Sequence, residues 1–530
     1  MRLSLDMGAK ILGIEALEPA KDVVQRALED VKRKAFLSYA DVRLELSEGM
    51  GAVALQGNIK GAGEDNEMAC GVRVYVEKDG VASAGFVGRS LGEQELNGLG
   101  KVLKEMHGLA YKRARANQAH KRALAKKYKF FGKSLTAGKL APVKVCVDTL
   151  KPTFKRNPRD LSFEELVRRT ESCSQMVQKL PGMASNSVSI VTGLRRQLFA
   201  STEGAFIDDS NALTQGFIFV TAKGKAVETF YEWNGAYAGL EVLEGENSFQ
   251  MNFEDFCKYI AEGTIEVSNA PAMKTTEAPV TVICDPRFNA LVSHEICGHP
   301  SEADRALKRE AAWAGRAWWF RGMDDNEFGK SVASEQVSVF SDPSLQGYGN
   351  YKYDDEGTPA KKVYNIKDGK LNAFINSRET AAILGQEPNG GMRAASAMQM
   401  PLIRMNNTCL DNGDWTKDEI FKETREGYYL FGQKTPSIGE TRQNFKITCW
   451  KLYKVENGEL AQLYRMGGIT SDSAAYLKSI DAAADDLHVH NIPNCGKGTP
   501  MQSMMVGNGG PHTRGRAIVT GAHAEGKGSL

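Results

Sequence analysis

The nine cysteines of this 530-residue chain include no C-x-x-C pair. A pair of that kind would mark a zinc ribbon or a dithiol redox centre. Single thiols scattered through a long chain point instead to a reducing compartment, so the cytoplasm is the expected location. No run of about 18 apolar residues occurs, which excludes a hydrophobic membrane-spanning helix. The opening Met1-Arg2-Leu3-Ser4-Leu5-Asp6 has no apolar core of signal-peptide length. Charge of one sign is lacking as well. Lys and Arg number 67 against 65 Asp and Glu, a net charge of +2. No long-range field therefore draws nucleic acid or a membrane surface, and neither is expected as a partner. Histidine is scarce, with eight in all.

Apolar residues make up 42% of the chain and charged residues 25%, the balance of a soluble globular protein. The length leaves room for two or three domains. Val23, Val24, Ala27, Leu28 and Val31 recur at helical spacing and predict a helix over 18–38. Residues 42–46 alternate as a strand. Lys78-Asp79-Gly80 between 71–76 and 81–86 signals a hairpin. A second helix is expected over 91–111, giving an α+β unit at 1–115. The basic residues after it, Lys112, Arg113, Arg115, Lys121, Arg122, Lys126, Lys127 and Lys129, have few aromatics among them. They read as a solvated helix and linker rather than a nucleic-acid patch.

A middle domain is expected at 116–270. It has a helix over 158–180, then strands at 187–191, 196–200 and 216–220. Turns at Thr192-Gly193 and Glu203-Gly204 separate them into an antiparallel meander. A helix over 251–262 should end at Gly263. The C-terminal domain, 271–530, begins with a strand at 280–284. Hairpins follow at 362–375, around Asp368-Gly369, and at 445–464, then a helix over 473–485. The fold class expected is α+β: an N-terminal α/β unit and a mainly antiparallel C-terminal domain.

Two of the few histidines flank a glutamate in Ser293-His294-Glu295-Ile296-Cys297-Gly298-His299-Pro300. Neutral imidazoles suit Zn²⁺, and a catalytic zinc keeps one position open for water. Water activated there becomes a nucleophile, and a neighbouring carboxylate can take its proton. The helical form of this motif is H-E-x-x-H, with histidines at i and i+4. Here they stand at i and i+5, roughly 140° apart on a regular helix. The helix should therefore depart from regularity. Gly298 loosens its last turn, and Pro300 pushes His299 out of the α region. A wide turn, or a helix end at Gly298, would bring the two rings together. Asp285 and Pro286 supply the N-cap and first position of this helix.

His294-Glu295-x-x-Gly298-His299-x-x-Glu302-x-Asp304 resembles the signature of the TldD/PmbA family of metallopeptidases, once labelled modulators of DNA gyrase. Asp354-Asp355-Glu356-Gly357-Thr358-Pro359 with Ser377-Arg378-Glu379-Thr380-Ala381 is similar to a second family segment. Asn491-x-x-x-Cys495-Gly496-Lys497-Gly498 with Val506-Gly507-Asn508-Gly509-Gly510-Pro511 is similar to a third. Asn389-Gly390-Gly391-Met392-Arg393 and Arg404-Met405-Asn406-Asn407-Thr408 fall between them in the family's order. The resemblance is strong over most of 270–525 and weaker over 38–105. It implies His294, His299 and Cys495 as metal ligands and Glu295 as the general base. Zn²⁺ is the implied cofactor, with Fe²⁺ as an alternative at a His₂Cys site. Unfolded or small peptides are the implied substrate, cut inside a homodimer or a heterodimer with a paralogue. Proline at 300 departs from the family pattern, which bears on the backbone after His299 and not on ligation. A non-enzymatic regulatory or partner subunit is the alternative function.

Other residues remain open. Cys297, His488 and His490 are alternative ligands. Trp313, Trp318, Trp319 and Phe320 form an aromatic cluster, read as core or subunit contact ahead of a substrate wall. The acidic run Asp354-Asp355-Glu356 could hold a cation or a peptide amine, or cap a turn; the resemblance places it near the active site.

Overall fold

A computed structural model describes residues 12–127 and 139–522. The opening hexapeptide, part of the basic stretch (Lys129 included) and the last residues of the resemblance lie outside them.

The first sheet is built from strands far longer than the expected segments. Leu37–Leu55 pairs antiparallel with Asn58–Lys78 on one side and Met183–Ser201 on the other. The sheet continues through Phe206–Lys223 to Val227–Ala236, with Val147–Leu150 parallel on the same edge. Strands from 1–115 and from 116–270 thus lie in one sheet, and the helix Leu99–Lys127 runs across residue 115.

Thr192-Gly193 is not a turn but the middle of a strand. A Cβ on Gly193 would stand 2.2 Å from Glu48 O, so the glycine lets two strands approach. Glu203-Gly204 does turn, with Gly204 at φ 97°. Gly263 likewise does not end its helix, which runs Phe253–Asn269. A Cβ there would lie 2.4 Å from Trp450 Cζ2, so the residue is small for close packing.

The basic stretch, as far as it is described, belongs to the helix Leu99–Lys127. That helix lies tight on the sheet: a Cβ on Gly85 would stand 2.1 Å from Ala110 O. Arg113 donates to Phe86 O at 2.7 Å and Arg122 to Lys78 O at 2.6 Å. These cations tie the helix to strand carbonyls and anchor it.

Among the described residues the C-terminal half holds three further sheets, of six, seven and two strands, mainly antiparallel, with two parallel pairs. Together with the helix-flanked first sheet they make the expected α+β fold. Asp368 and Gly369 both have positive φ, 47° and 74°, the type I′ form expected of that hairpin. The helix expected over 473–485 stops at Ser479. Ala482 and Ala483 leave it to pair with Arg514 and Thr513.

The acidic run fastens the N-terminal sheet to this half. Asp354 accepts from the amides of Glu356 and Thr358, both at 2.9 Å, which caps its own turn. Asp355 accepts from Gln197 at 2.8 Å, and Glu356 from Arg73 at 2.8 Å. All three carboxylates are buried and occupied by protein donors.

Candidate metal centre and active site

The strand Val280–Cys284 delivers the chain to the helix Pro286–Val292. Asp285 caps it, accepting from the Phe288 amide at 2.7 Å, and Pro286 occupies the first position as expected. The helix then widens into a π turn over Ser293–Gly298. The His299 amide bonds to His294 O, an i to i+5 link that stacks the two residues. Their rings stand 4.7 Å apart, centroid to centroid, at 86°.

The route to this pairing differs in detail from the expectation. His299 stays in the right-handed region at φ −59°, ψ −42°, despite Pro300. The i to i+5 bond holds it there. Gly298 is also right-handed, at φ −67°. Its need is space: a Cβ would stand 2.1 Å from Met405 Sδ. Met405 is fully buried and has nowhere to retreat. Gly298→Ala is therefore expected to cost about 1–3 kcal/mol by overpacking. It should also displace His299 and weaken metal binding. Urea denaturation and a metal titration on the same sample read the two effects.

The second donor element is the strand His488–Lys497. Its register against Gln502–Gly510 slips between Ile492 and Cys495, around Pro493, which has no amide to give. The slip places Cys495 Sγ 3.6 Å from His299 Nε2. His294, His299 and Cys495 are all buried, and one donor atom from each lies within 4.8 Å of the others.

The remaining ring nitrogens are fixed by neighbours. Asn508 donates through Nδ2 to Thr408 O at 3.1 Å, so its Oδ1 accepts from His294 Nδ1 at 2.9 Å. His299 Nδ1 bonds Glu302 Oε2 at 3.0 Å. Protons held on both Nδ1 atoms leave both Nε2 lone pairs free to ligate. Glu302 is fully buried, accepts from Arg305 Nε at 2.8 Å and forms an ion pair with Lys497 Nζ at 3.2 Å. Lys497 Nζ further reaches Asp304 Oδ1 at 2.7 Å and Ile403 O at 2.6 Å.

The electrostatics favour a cation among the three donors. Burial by itself would raise the Cys495 thiol, but the two imidazoles and Arg404 hold it well below its usual range. Burial would lower His294, yet the Cys495 thiolate and Glu295 push it up to about 9. A thiolate and two imidazoles crowd together, the chemistry of a metal site.

Glu295 opens onto a cavity of about 290 Å³ shared with His294, His299 and Cys495. Burial would raise its carboxyl, but Arg442 and the two histidines bring it down to about 2, so it is ionised at neutral pH. Arg442 bonds the Glu295 carboxylate directly. It lies 147 residues away in the chain, and Glu440-Thr441-Arg442-Gln443 bears no mark of it. Sequence reasoning missed this partner. Asn508, Glu302 and Asp304 sat inside the quoted segments without assigned roles.

The alternative ligands fall elsewhere. Cys297 points into the apolar core. His488 and His490 do share a strand face, ring centroids 4.7 Å apart. His488 bonds Ser248 O at 2.7 Å, and His490 faces Phe249. None of Asp354, Asp355 and Glu356 lines this cavity. The aromatic cluster divides: Trp319 and Phe320 are core, whereas Trp313 lines the cavity.

Residues 277–519 match the sequence profile of the PmbA/TldA metallopeptidase C-terminal domain. A metalloprotease of Methanocaldococcus jannaschii is 28% identical over 489 residues, 91% of this chain and 97% of the relative. A zinc metalloprotease TldD homolog of Saccharolobus solfataricus is 27% identical over 367 residues, covering 68% and 76% respectively. Among solved structures, a protein of Thermotoga maritima described as a candidate modulator of a DNA gyrase superposes with TM-score 0.69 at 17% identity, covering 95% of this chain and all of that one. No helix among the described residues is long and apolar enough to cross a membrane. The His–His–Cys cluster lies within the span that matches the profile, and the similarity to the Methanocaldococcus relative extends over the first sheet as well: residues 277–519 of this chain form a metallopeptidase C-terminal domain of the PmbA/TldA type.

Proposed function

We propose that this chain is a zinc-dependent peptidase that cuts unfolded or small peptides, with His294, His299 and Cys495 as the metal ligands. The observation that carries the reading is the 3.6 Å between His299 Nε2 and Cys495 Sγ. Bonds of about 2.0–2.1 Å to nitrogen and about 2.3 Å to sulfur, at a tetrahedral angle, need an N···S separation of about 3.6 Å. A thiolate with two imidazoles also suits zinc by softness. Bound there, zinc supplies Lewis-acid activation of a water molecule and of the scissile carbonyl.

The protein's own groups do the rest. Asn508 and Glu302 orient the two imidazoles. Glu295, ionised and open to the cavity, takes a proton from the attacking water and returns it to the departing nitrogen. Arg442 keeps that carboxylate charged and aimed. A peptide has a place to lie. Among the described residues the strand Val227–Ala236 pairs with a strand on one side only. Tyr231 and Trp233 on it line the cavity. An extended peptide could pair with the strand's other edge through backbone hydrogen bonds. The resemblance supports a homodimer or a paralogue heterodimer as the working form. Nine free, buried cysteines fit a reducing cytoplasm.

Glu295→Gln tests the reading. It should keep metal content and fold yet hydrolyse a peptide library about 10²–10⁴-fold more slowly. Full biological activity in that variant would favour the non-enzymatic regulator instead.

A further inference from the structure

Trp313 and Ala314 both lie in the left-handed region, at φ 59° and 55°. A bulky aromatic residue seldom adopts that conformation, and it persists only where its surroundings impose it. Here Arg442 imposes it. Its buried guanidinium donates from Nε to Ala314 O at 3.0 Å and from Nη2 to Trp313 O at 3.3 Å. Nη1 of the same group reaches Glu295 O at 3.1 Å as well as the carboxylate. One side chain thus straps this loop to the turn that carries the histidines.

The indole reaches the other way. Trp313 Nε1 donates to Gly498 O at 3.1 Å, three residues past Cys495. Trp313 therefore spans from one donor element to the other. It is not core packing: the residue is 60% exposed, whereas Trp319 is 0% and Phe320 4%. It lines the same cavity as Tyr231 and Trp233. A flat ring fixed at both ends beside a carboxylate base is suited to contact what the base acts on.

We infer that Trp313, held by Arg442, is the specificity wall of this cavity and selects peptides with a flat apolar side chain beside the bond to be cut. Aromatic rings favour offset or edge-on contacts with such a side chain, and an apolar wall discriminates by about 10–200-fold. The inference rests on the peptidase reading only in taking the occupant to be a peptide.

The test uses two hexapeptides differing in one central residue, Phe or Gly, titrated calorimetrically into full-length zinc-loaded Glu295→Gln protein. The Phe peptide should bind at least about tenfold more tightly. Adding Trp313→Ala should shrink that ratio to within about twofold, and Trp313→Phe should keep most of it. Arg442→Lys retains a charge but cannot fork to both loop carbonyls, so it too should lose the preference. An unchanged ratio in Trp313→Ala would overturn the inference, as would equal binding of the two peptides or none. Hydrolysis by the unsubstituted protein is measured separately. If it cuts neither peptide but shows the Trp313-dependent preference, the peptidase reading falls and the wall stands.

Discussion

Replacing Cys495 by alanine is expected to remove bound metal and peptide hydrolysis together. Purified unsubstituted protein should carry about one zinc per chain, the complement of a single three-ligand site. Cys495→Ala leaves two imidazoles whose Nε2 atoms have lost the third donor of the site. The thiolate that pushes His294 up to about 9 is gone, so the ring loses its main attractive partner. Metal content should fall to background, and hydrolysis by more than about 10⁴-fold, since water activation is lost outright. His294→Ala should behave alike, because both donors serve one site. Elemental analysis and a peptide assay on the same preparations decide the matter. Metal retained at full stoichiometry in Cys495→Ala would sink the assignment. Cys297 lies in the apolar core, His488 is engaged by Ser248 O and His490 faces Phe249, so none offers a ready substitute.

The second large effect is on stability. Lys497 is completely buried, and its ammonium serves Asp304, Glu302 and Ile403 O at once. Lys497→Met keeps much of the volume but leaves Glu302 and Asp304 in the interior short of one cation. Breaking a buried ion pair by removing one partner costs about 3–5 kcal/mol. The urea midpoint should drop accordingly. Because Glu302 also orients His299, metal affinity should weaken by about 10–100-fold. The double variant Lys497→Met with Glu302→Gln should regain part of the stability, as it leaves one fewer unpaired charge. A midpoint within error of the unsubstituted protein would refute the account of this cluster.

Much of the site was legible because its donors lie in dense local motifs. The spacing of His294 and His299 already demanded a departure from the regular helix, by a wide turn or a helix end at Gly298, since a regular helix separates i from i+5 by roughly 140°. That argument does not depend on tertiary context. The N-cap at Asp285 and the type I′ turn at Asp368-Gly369 were readable for the same reason: each is a local rule of backbone geometry. Glycine misled where its purpose was space. Gly193, Gly263 and Gly298 looked like breaks or loosened turns. Each instead admits a neighbour, the Glu48 carbonyl, Trp450 and Met405 respectively. No sequence window contains those neighbours. The acidic run was placed near the active site by resemblance, with a turn cap as the other reading; its carboxylates are taken up by Arg73, Gln197 and its own turn.

The sequence by itself determined the α+β class, the pairing of His294 with His299 and the glutamate between them, because secondary structure and short-range spacing are encoded within a few residues. Only the tertiary structure decided that Arg442 reaches Glu295, that Asn508 and Glu302 fix the ring protons, and that strands from both N-terminal segments share one sheet. Those contacts join residues brought together by packing of the whole chain, and no local periodicity records where a distant side chain will arrive.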